Sequence, residues 1–320
     1  MTTKKPVRPA APRSKSAPLK KAAAPSGTVR VAAIQMASSP NVASNLAEAE
    51  RLIEQAVGAG ARLVALPEFF CIMGMKDADV VKVREAEGDG PIQAFLARMA
   101  KKHKIWLIGG SVPLEANAAN KVRNSCLVYD ERGKLVARYD KIHLFGLDLG
   151  NEHYQESKLI EPGDKVVVVS SPFGRIGLSV CYDLRFPELY RAMPDVDIIV
   201  VPSAFTATTG RAHFETLIRA RAIENLAYVI APAQGGYHLS GRETHGDSMI
   251  VDPWGVVLDR LPRGSGVVIA NINPAYLASL RKSLPALQHR FIQCRQIQVD
   301  VVERRVVAKH LSPTGGESTK

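Results

Sequence analysis

The sequence predicts an α/β layered protein, with two sheets stacked face to face and helices outside them. Three observations point there. Twelve short β-favouring runs recur between residues 29 and 271. Stretches with helical apolar spacing fall among them. Turn signals rich in Pro and Gly separate neighbouring runs. Strands that alternate with helices imply layers around a shared core, and this many strands favour two sheets over one.

The elements follow in order. A strand at 29–35 precedes a helix at 44–59. The buried-strand run Leu63-Val64-Ala65-Leu66 ends in Pro67-Glu68-Phe69-Phe70. A helix at 91–103 leads into a strand at 105–110. Strands at 124–129 and 135–140 flank the hairpin signal Glu131-Arg132-Gly133, and strands at 165–170 and 176–181 flank Pro172-Phe173-Gly174. A short helix at 187–193, a strand at 197–201, a helix at 214–225 and a strand at 227–232 continue the alternation. Strands at 247–251 and 256–259 flank Pro253-Trp254-Gly255, and a strand at 266–271 precedes a short helix at 275–284. No linker composition interrupts residues 28–300 of this 320-residue chain. One domain over 28–305 is therefore expected, followed by a polar tail at 306–320.

The apolar run 176–180 stops at Cys181, and polar and charged residues follow at once. A strand, a sharp turn and a helix near Pro187 would expose a thiol at the strand end. If that sulfur lies near the helix N-terminus, the dipole favours thiolate. A lone cysteine is otherwise a packing residue. Two other segments each place an ionisable residue just past a strand, among aromatics. They are Glu68 after 63–66, and Lys141 in Tyr139-Asp140-Lys141-Ile142-His143-Leu144-Phe145. Either one alone reads as a solvated charge.

In their order and flanking residues, Glu68, Lys141 and Cys181 together resemble the Glu-Lys-Cys triad of the nitrilase superfamily of carbon–nitrogen hydrolases. The resemblance runs from about residue 29 to about residue 290. It implies a four-layer αββα sandwich, usually dimerised through helices near the nucleophile, so a homodimer is expected. The chemistry follows from the groups. Thiolate is the attacking species. Glu68, partly desolvated by Leu66, Pro67, Phe69 and Phe70, is the candidate base. Lys141, kept protonated by nearby acidic groups, and the Tyr182 N–H would stabilise the oxyanion. Cys181 attacks an amide carbonyl, ammonia leaves, and water activated by Glu68 hydrolyses the thioester. No metal or organic cofactor is required. Glu156, in His153-Tyr154-Gln155-Glu156-Ser157, matches a second glutamate of the superfamily that orients the lysine, the substrate or the water.

The C-terminal half narrows the resemblance. Pro202-Ser203-Ala204-Phe205-Thr206, the block 208–215, Ala231-Pro232-Ala233-Gln234-Gly235-Gly236 and Val251-Asp252-Pro253-Trp254-Gly255 look like the deaminated glutathione amidase branch, close to the Nit domains of NitFhit fusions. Sister ω-amidases share much of this but lack the Ala-Gln-Gly pattern. The expected substrate is thus a small anionic amide, with deaminated glutathione leading. The alternatives are α-ketoglutaramate or succinamate, or the substrate of another superfamily amidase or carbamoylase. Arg185 would clamp a substrate carboxylate, unless it pairs with Glu188 or Asp183. Tyr182, Phe205 and Thr209 are expected on the same wall, with Arg211 next in line for the carboxylate. Two departures bear on specificity. Phe214 stands where the family often has Trp, and Asp247, where His is common, would add a negative charge near the pocket.

Charge and cysteines exclude other classes. Residues 1–27 hold seven of the positive charges behind the formal +11 and no acidic residue, leaving +4 for the rest. This Pro/Ala/Lys-rich tail is expected to be disordered, and the folded domain is not expected to bind nucleic acid. The tail lacks an apolar core for secretion, and its prolines disfavour an organellar presequence. No run is long enough to span a membrane, so a cytoplasmic location is expected. Cys71, Cys126, Cys181 and Cys294 are widely spaced, without the pairing of a disulfide framework. The eight histidines are not set at zinc-ligand spacing with them.

Overall fold

Side-chain alternation along the strands sorts the apolar residues into layers, because successive residues point to opposite faces. In the computed structural model, residues 27–150, 152–291 and 299–302 are described. Along Val29–Gln35, Val31 and Ala33 face one core while Ala32 and Ile34 face another. Leu63 and Ala65 repeat the split against Val64, as do Trp106 and Ile108 against Leu107. The first set packs against the second sheet. The other set packs under the helices Val42–Gly58 and Pro91–His103.

The first sheet runs Gly266–Ile272, Val29–Gln35, Leu63–Ala65, Trp106–Ile108, Val122–Tyr129. Val112–Glu115 also pairs with Val122–Tyr129, and Leu135–Asp140 completes the sheet. The second sheet runs Val257–Leu261, Ser248–Val251, Tyr228–Ala231, Ile198–Val200, Gly174–Leu178, Val166–Ser171, Val299–Val302. Each sheet has three parallel neighbours at its centre and antiparallel strands beside them. The helix Ala207–Asn225 packs outside the second sheet, burying Phe214, Ile218 and Ala222. The result is helix, sheet, sheet, helix.

Three differences from the expected elements have physical causes. The helix expected at 214–225 begins at Ala207. Thr206, extended, caps it by accepting from the Thr209 N–H. The first turns are buried through small residues, which hides the apolar repeat. At Gly210 a Cβ would lie 2.2 Å from the His245 Cβ. Two polar hairpins were also absent from the strand pattern: Gly146–Leu149 with Glu152–Gln155, and Gly235–Tyr237 with Glu243–His245. Their strands are only three or four residues long, and most of their residues are exposed or half-buried. Residues 299–302, left without an element in the sequence reading, add a parallel strand beside Val166–Ser171. The basic tail at 1–26, Cys294 and the tail at 306–320 lie outside the described residues. No helix among the described residues is long and apolar enough to cross a membrane.

Candidate active site

Three loops at strand ends meet where the two sheets face each other. The strand Leu135–Asp140 delivers Lys141, whose N–H donates to the Asn124 carbonyl at 2.9 Å while its own carbonyl accepts from Gly163 at 2.9 Å. Its side chain is fully buried. Nζ lies 2.9 Å from Glu68 Oε1, and 2.9 and 2.8 Å from the two oxygens of Glu156. Asn124 Nδ2 donates to the same Glu68 oxygen at 2.9 Å, and the Phe145 N–H donates to Glu156 Oε2 at 2.7 Å. Each carboxylate is thus held by the ammonium and by one neutral donor.

Glu68 follows Leu63–Ala65 on a loop in which Phe69 has φ +48°. Gln234 holds that loop. Its Nε2 donates to the Glu68 carbonyl at 3.1 Å and to Ser38 Oγ at 2.8 Å, and its Oε1 accepts from the Ser38 N–H at 3.0 Å. Gln234 lies in the segment that marked the branch resemblance, and the structure gives it this bracing contact.

Cys181 opens a tight turn, Cys181–Arg185, after the strand Gly174–Leu178. Its φ is +49°, a left-handed conformation that costs a non-glycine residue about 1–2 kcal/mol. The surroundings impose it. The Cys181 N–H donates to Pro202 O at 2.8 Å. The buried Asp183 carboxylate accepts from the Val180 N–H at 2.9 Å, the Tyr139 hydroxyl at 2.7 Å and the His143 N–H at 3.0 Å. Asp183 thereby ties the Lys141 segment to the Cys181 turn. No acceptor among the described residues takes the Tyr182 N–H, which remains available as a donor.

The electrostatics correct one expectation. Burial by itself would lower the Lys141 pKa, but Glu156 and then Glu68 outweigh it, and the group is raised and stays ammonium. For Cys181, burial and the Glu68 charge raise the pKa, against the opposing Lys141, to well above the usual thiol range. The free protein therefore holds a thiol rather than a dipole-stabilised thiolate. The regular helix starts only at Pro187, and the intervening turn separates it from the sulfur. Glu156 is also raised, mainly by burial, with Lys141 opposing.

A narrow cleft opens over these groups. Of the eight site residues expected from sequence, seven line it: Glu68, Glu156, Cys181, Tyr182, Arg185, Phe205 and Thr209. Lys141 sits directly behind, bridging the two glutamates. Arg185 forms no ion pair with Glu188 or Asp183. Its guanidinium lies over the rings of Phe205 (5.3 Å) and Tyr182 (5.8 Å), with Nη1 3.3 Å from His213 Nδ1.

Other expectations are corrected. Asp247 does not charge the pocket. It forms a bidentate pair with Arg260, at 2.9 and 2.6 Å, away from the lining. Arg211 is exposed and donates to the Ala207 carbonyl of its own helix. Phe214 packs behind Phe205, ring centroids 5.1 Å apart. Cys71 and Cys126 are buried free thiols with pKa values raised by burial, which suits packing. Sequence reasoning missed Asn124 and Arg242. Asn124 stands between Arg123 and Ser125 at the start of its strand, so its polarity did not stand out, and Arg242 sits in a polar turn.

The chain is similar to known proteins over most of its length. The family profile described as Carbon-nitrogen hydrolase matches residues 30–282. A protein of Synechocystis sp. named Deaminated glutathione amidase is 45% identical over 267 residues, which are 81% of this chain and 97% of that one. The crystal structure of the Caenorhabditis elegans NitFhit protein superposes with a TM-score of 0.76 at 37% identity. The match covers 82% of this chain and 65% of the fusion protein, so the chain spans just under two thirds of it. Saccharomyces cerevisiae Nit3, described as a member of branch 10 of the nitrilase superfamily, superposes with a TM-score of 0.75 at 31% identity, covering 83% of this chain and 98% of that one.

Proposed function

The chain belongs to the carbon–nitrogen hydrolase family and is an amidase, and on that premise we propose that Cys181 is its nucleophile, Glu68 its base and Lys141 its electrostatic stabiliser. One observation carries the reading. Side chains from three separate segments converge on one cleft, with Lys141 Nζ 2.9 Å from Glu68 Oε1.

The raised Cys181 pKa makes the base necessary. Glu68 takes the thiol proton as Sγ bonds to the amide carbon. The Tyr182 N–H and the Lys141 ammonium stabilise the oxyanion. The intermediate collapses, the C–N bond breaks, and Glu68 returns the proton to the departing nitrogen. Water, deprotonated by Glu68, then attacks the thioester and releases the acid and the thiol. Glu156 keeps Lys141 charged and aimed, through its two contacts to Nζ.

Arg185, free of any carboxylate partner among the described residues, receives the acid group of an anionic substrate. The name of the Synechocystis relative makes deaminated glutathione the leading compound. Its amides are secondary, so the departing group is an amine rather than the ammonia expected from the sequence, whereas α-ketoglutaramate or succinamate would release ammonia. The test is a screen that measures both products over those three compounds, an N-carbamoyl amino acid and a simple nitrile. Highest kcat/KM on deaminated glutathione supports the reading. Higher values on α-ketoglutaramate or succinamate would move the chain to ω-amidase activity, and cleavage of none of the amides would overturn it.

A further inference from the structure

We propose that Arg242 selects substrates with a second anionic group, carried on the leaving-amine side of the scissile amide. The proposal rests on the amidase reading above and extends it to the substrate class. Arg242 lines the same cleft as Cys181 but arrives from a different element, the turn of the hairpin Gly235–Tyr237 with Glu243–His245. Its guanidinium carbon lies 5.0 Å from the Tyr154 ring centre, on the neighbouring hairpin. Nη2 makes one long bond, 3.3 Å, to the Ala204 carbonyl. The Nε–H is buried with no acceptor, and no carboxylate among the described residues pairs with this cation. A buried donor left unpaired is costly. A guanidinium edge open to a cleft is satisfied by an anion that accepts from two of its N–H groups.

The second cation of the cleft makes the pattern informative. Arg185 rests on Phe205, and Arg242 bonds to Ala204, the residue before it. Two guanidinia without acidic partners are thus anchored on consecutive residues of one wall. Arg185 shares the turn that carries Cys181, so it is tied to the reacting end. Arg242 is half-buried, on a hairpin whose Tyr237 and Leu239 are 72% and 74% exposed, and it is assigned to the outer, leaving-group end of the cleft. The pairing count agrees, although the net charge of the cleft is only +1, since Lys141 offsets one of Glu68 and Glu156 and the two arginines exceed the other. A monoanionic amide occupies one arginine and leaves the other bare, whereas a dianionic amide occupies both.

The test compares N-succinylglycine, with a carboxylate on each side of the scissile bond, and N-(2-hydroxyethyl)succinamate, neutral on the leaving side. Wild type and Arg242→Gln are assayed for kcat/KM on both. Dissociation constants of both compounds are measured by calorimetry on the Cys181→Ala protein, with and without Arg242→Gln. The loss on N-succinylglycine is expected to exceed the loss on the neutral compound by about 10-fold to 150-fold, the range for a charge-assisted pair. Arg242→Lys keeps the charge without the fork and should retain part of the preference. Equal losses on the two compounds, in turnover and in binding, would overturn the assignment of Arg242. Wild-type failure to cleave either compound would instead count against the amidase reading, and the binding comparison would still decide the role of Arg242.

Discussion

Replacing Lys141 with Met separates the electrostatic reading of the site from a purely steric one. Methionine has a similar reach and suits a buried position, so the change removes charge more than volume. The ammonium now sits fully buried between Glu68 and Glu156, with all three contacts at 2.8–2.9 Å. Removing one partner of a buried ionic cluster costs about 3–5 kcal/mol. Here two carboxylates lose their shared counter-charge, so the upper part of that range is expected. The deficit should depend on pH, with a definite sign. The Glu156 pKa is already raised above its usual 4.5, chiefly by burial, with Lys141 as the main opposing influence. A carboxyl group raised in the folded state stabilises the fold below its unfolded pKa and loses that contribution as pH rises through the folded value. Without Lys141 the folded value moves higher still. The raised Lys141 of the wild type contributes fully below its unfolded pKa and loses that contribution only at higher alkaline pH, so it is constant between pH 5 and pH 8. Urea unfolding at these two pH values should therefore show a larger deficit for the variant at pH 8 than at pH 5. Turnover should also fall by at least about 10²-fold through loss of an oxyanion donor. A deficit equal at both pH values, or wild-type turnover, would refute this account of the buried cluster.

Three further outcomes follow from the geometry. Cys181→Ala should lose about 10⁴-fold to 10⁶-fold in kcat with the fold retained, while Cys71→Ala and Cys126→Ala keep activity apart from packing losses; near-wild-type hydrolysis by the first variant would remove Cys181 as nucleophile. Glu68→Gln cannot take the proton of a thiol whose pKa is raised, so mass spectrometry after mixing with substrate should show no acyl adduct. Rapid thioester accumulation would confine Glu68 to the water step. Arg185→Ala should lower kcat/KM on succinamate about 10-fold to 150-fold beyond any loss on a neutral amide of similar length, and equal losses would make Arg185 a structural residue held by Phe205 and His213.

The layered fold and the reactive groups were legible because both are written locally. The split of Val31 and Ala33 from Ala32 and Ile34 is a period-two pattern within one strand. Glu68, Lys141 and Cys181 each stand at the end of such a run, where the chain must leave the sheet. Buried strands need apolar residues on both faces, so a polar residue at the end of one is conspicuous. The Ala207–Asn225 helix was half visible, since its first turns fit by small size rather than by apolar spacing.

What the linear pattern did not contain is the meeting of distant segments. Asp247 looked like a pocket charge until Arg260, from the adjoining strand, was found to neutralise it. The Cys181 turn looked suited to a thiolate, but its burial beside Glu68 holds the neutral thiol. Asp183 joins two loops 40 residues apart, and Arg242 reaches the cleft from a turn with no local mark of function. Each of these depends on which charges share one low-dielectric volume. Coulomb energy there follows distance in space and depth of burial, and neither is set by separation along the chain.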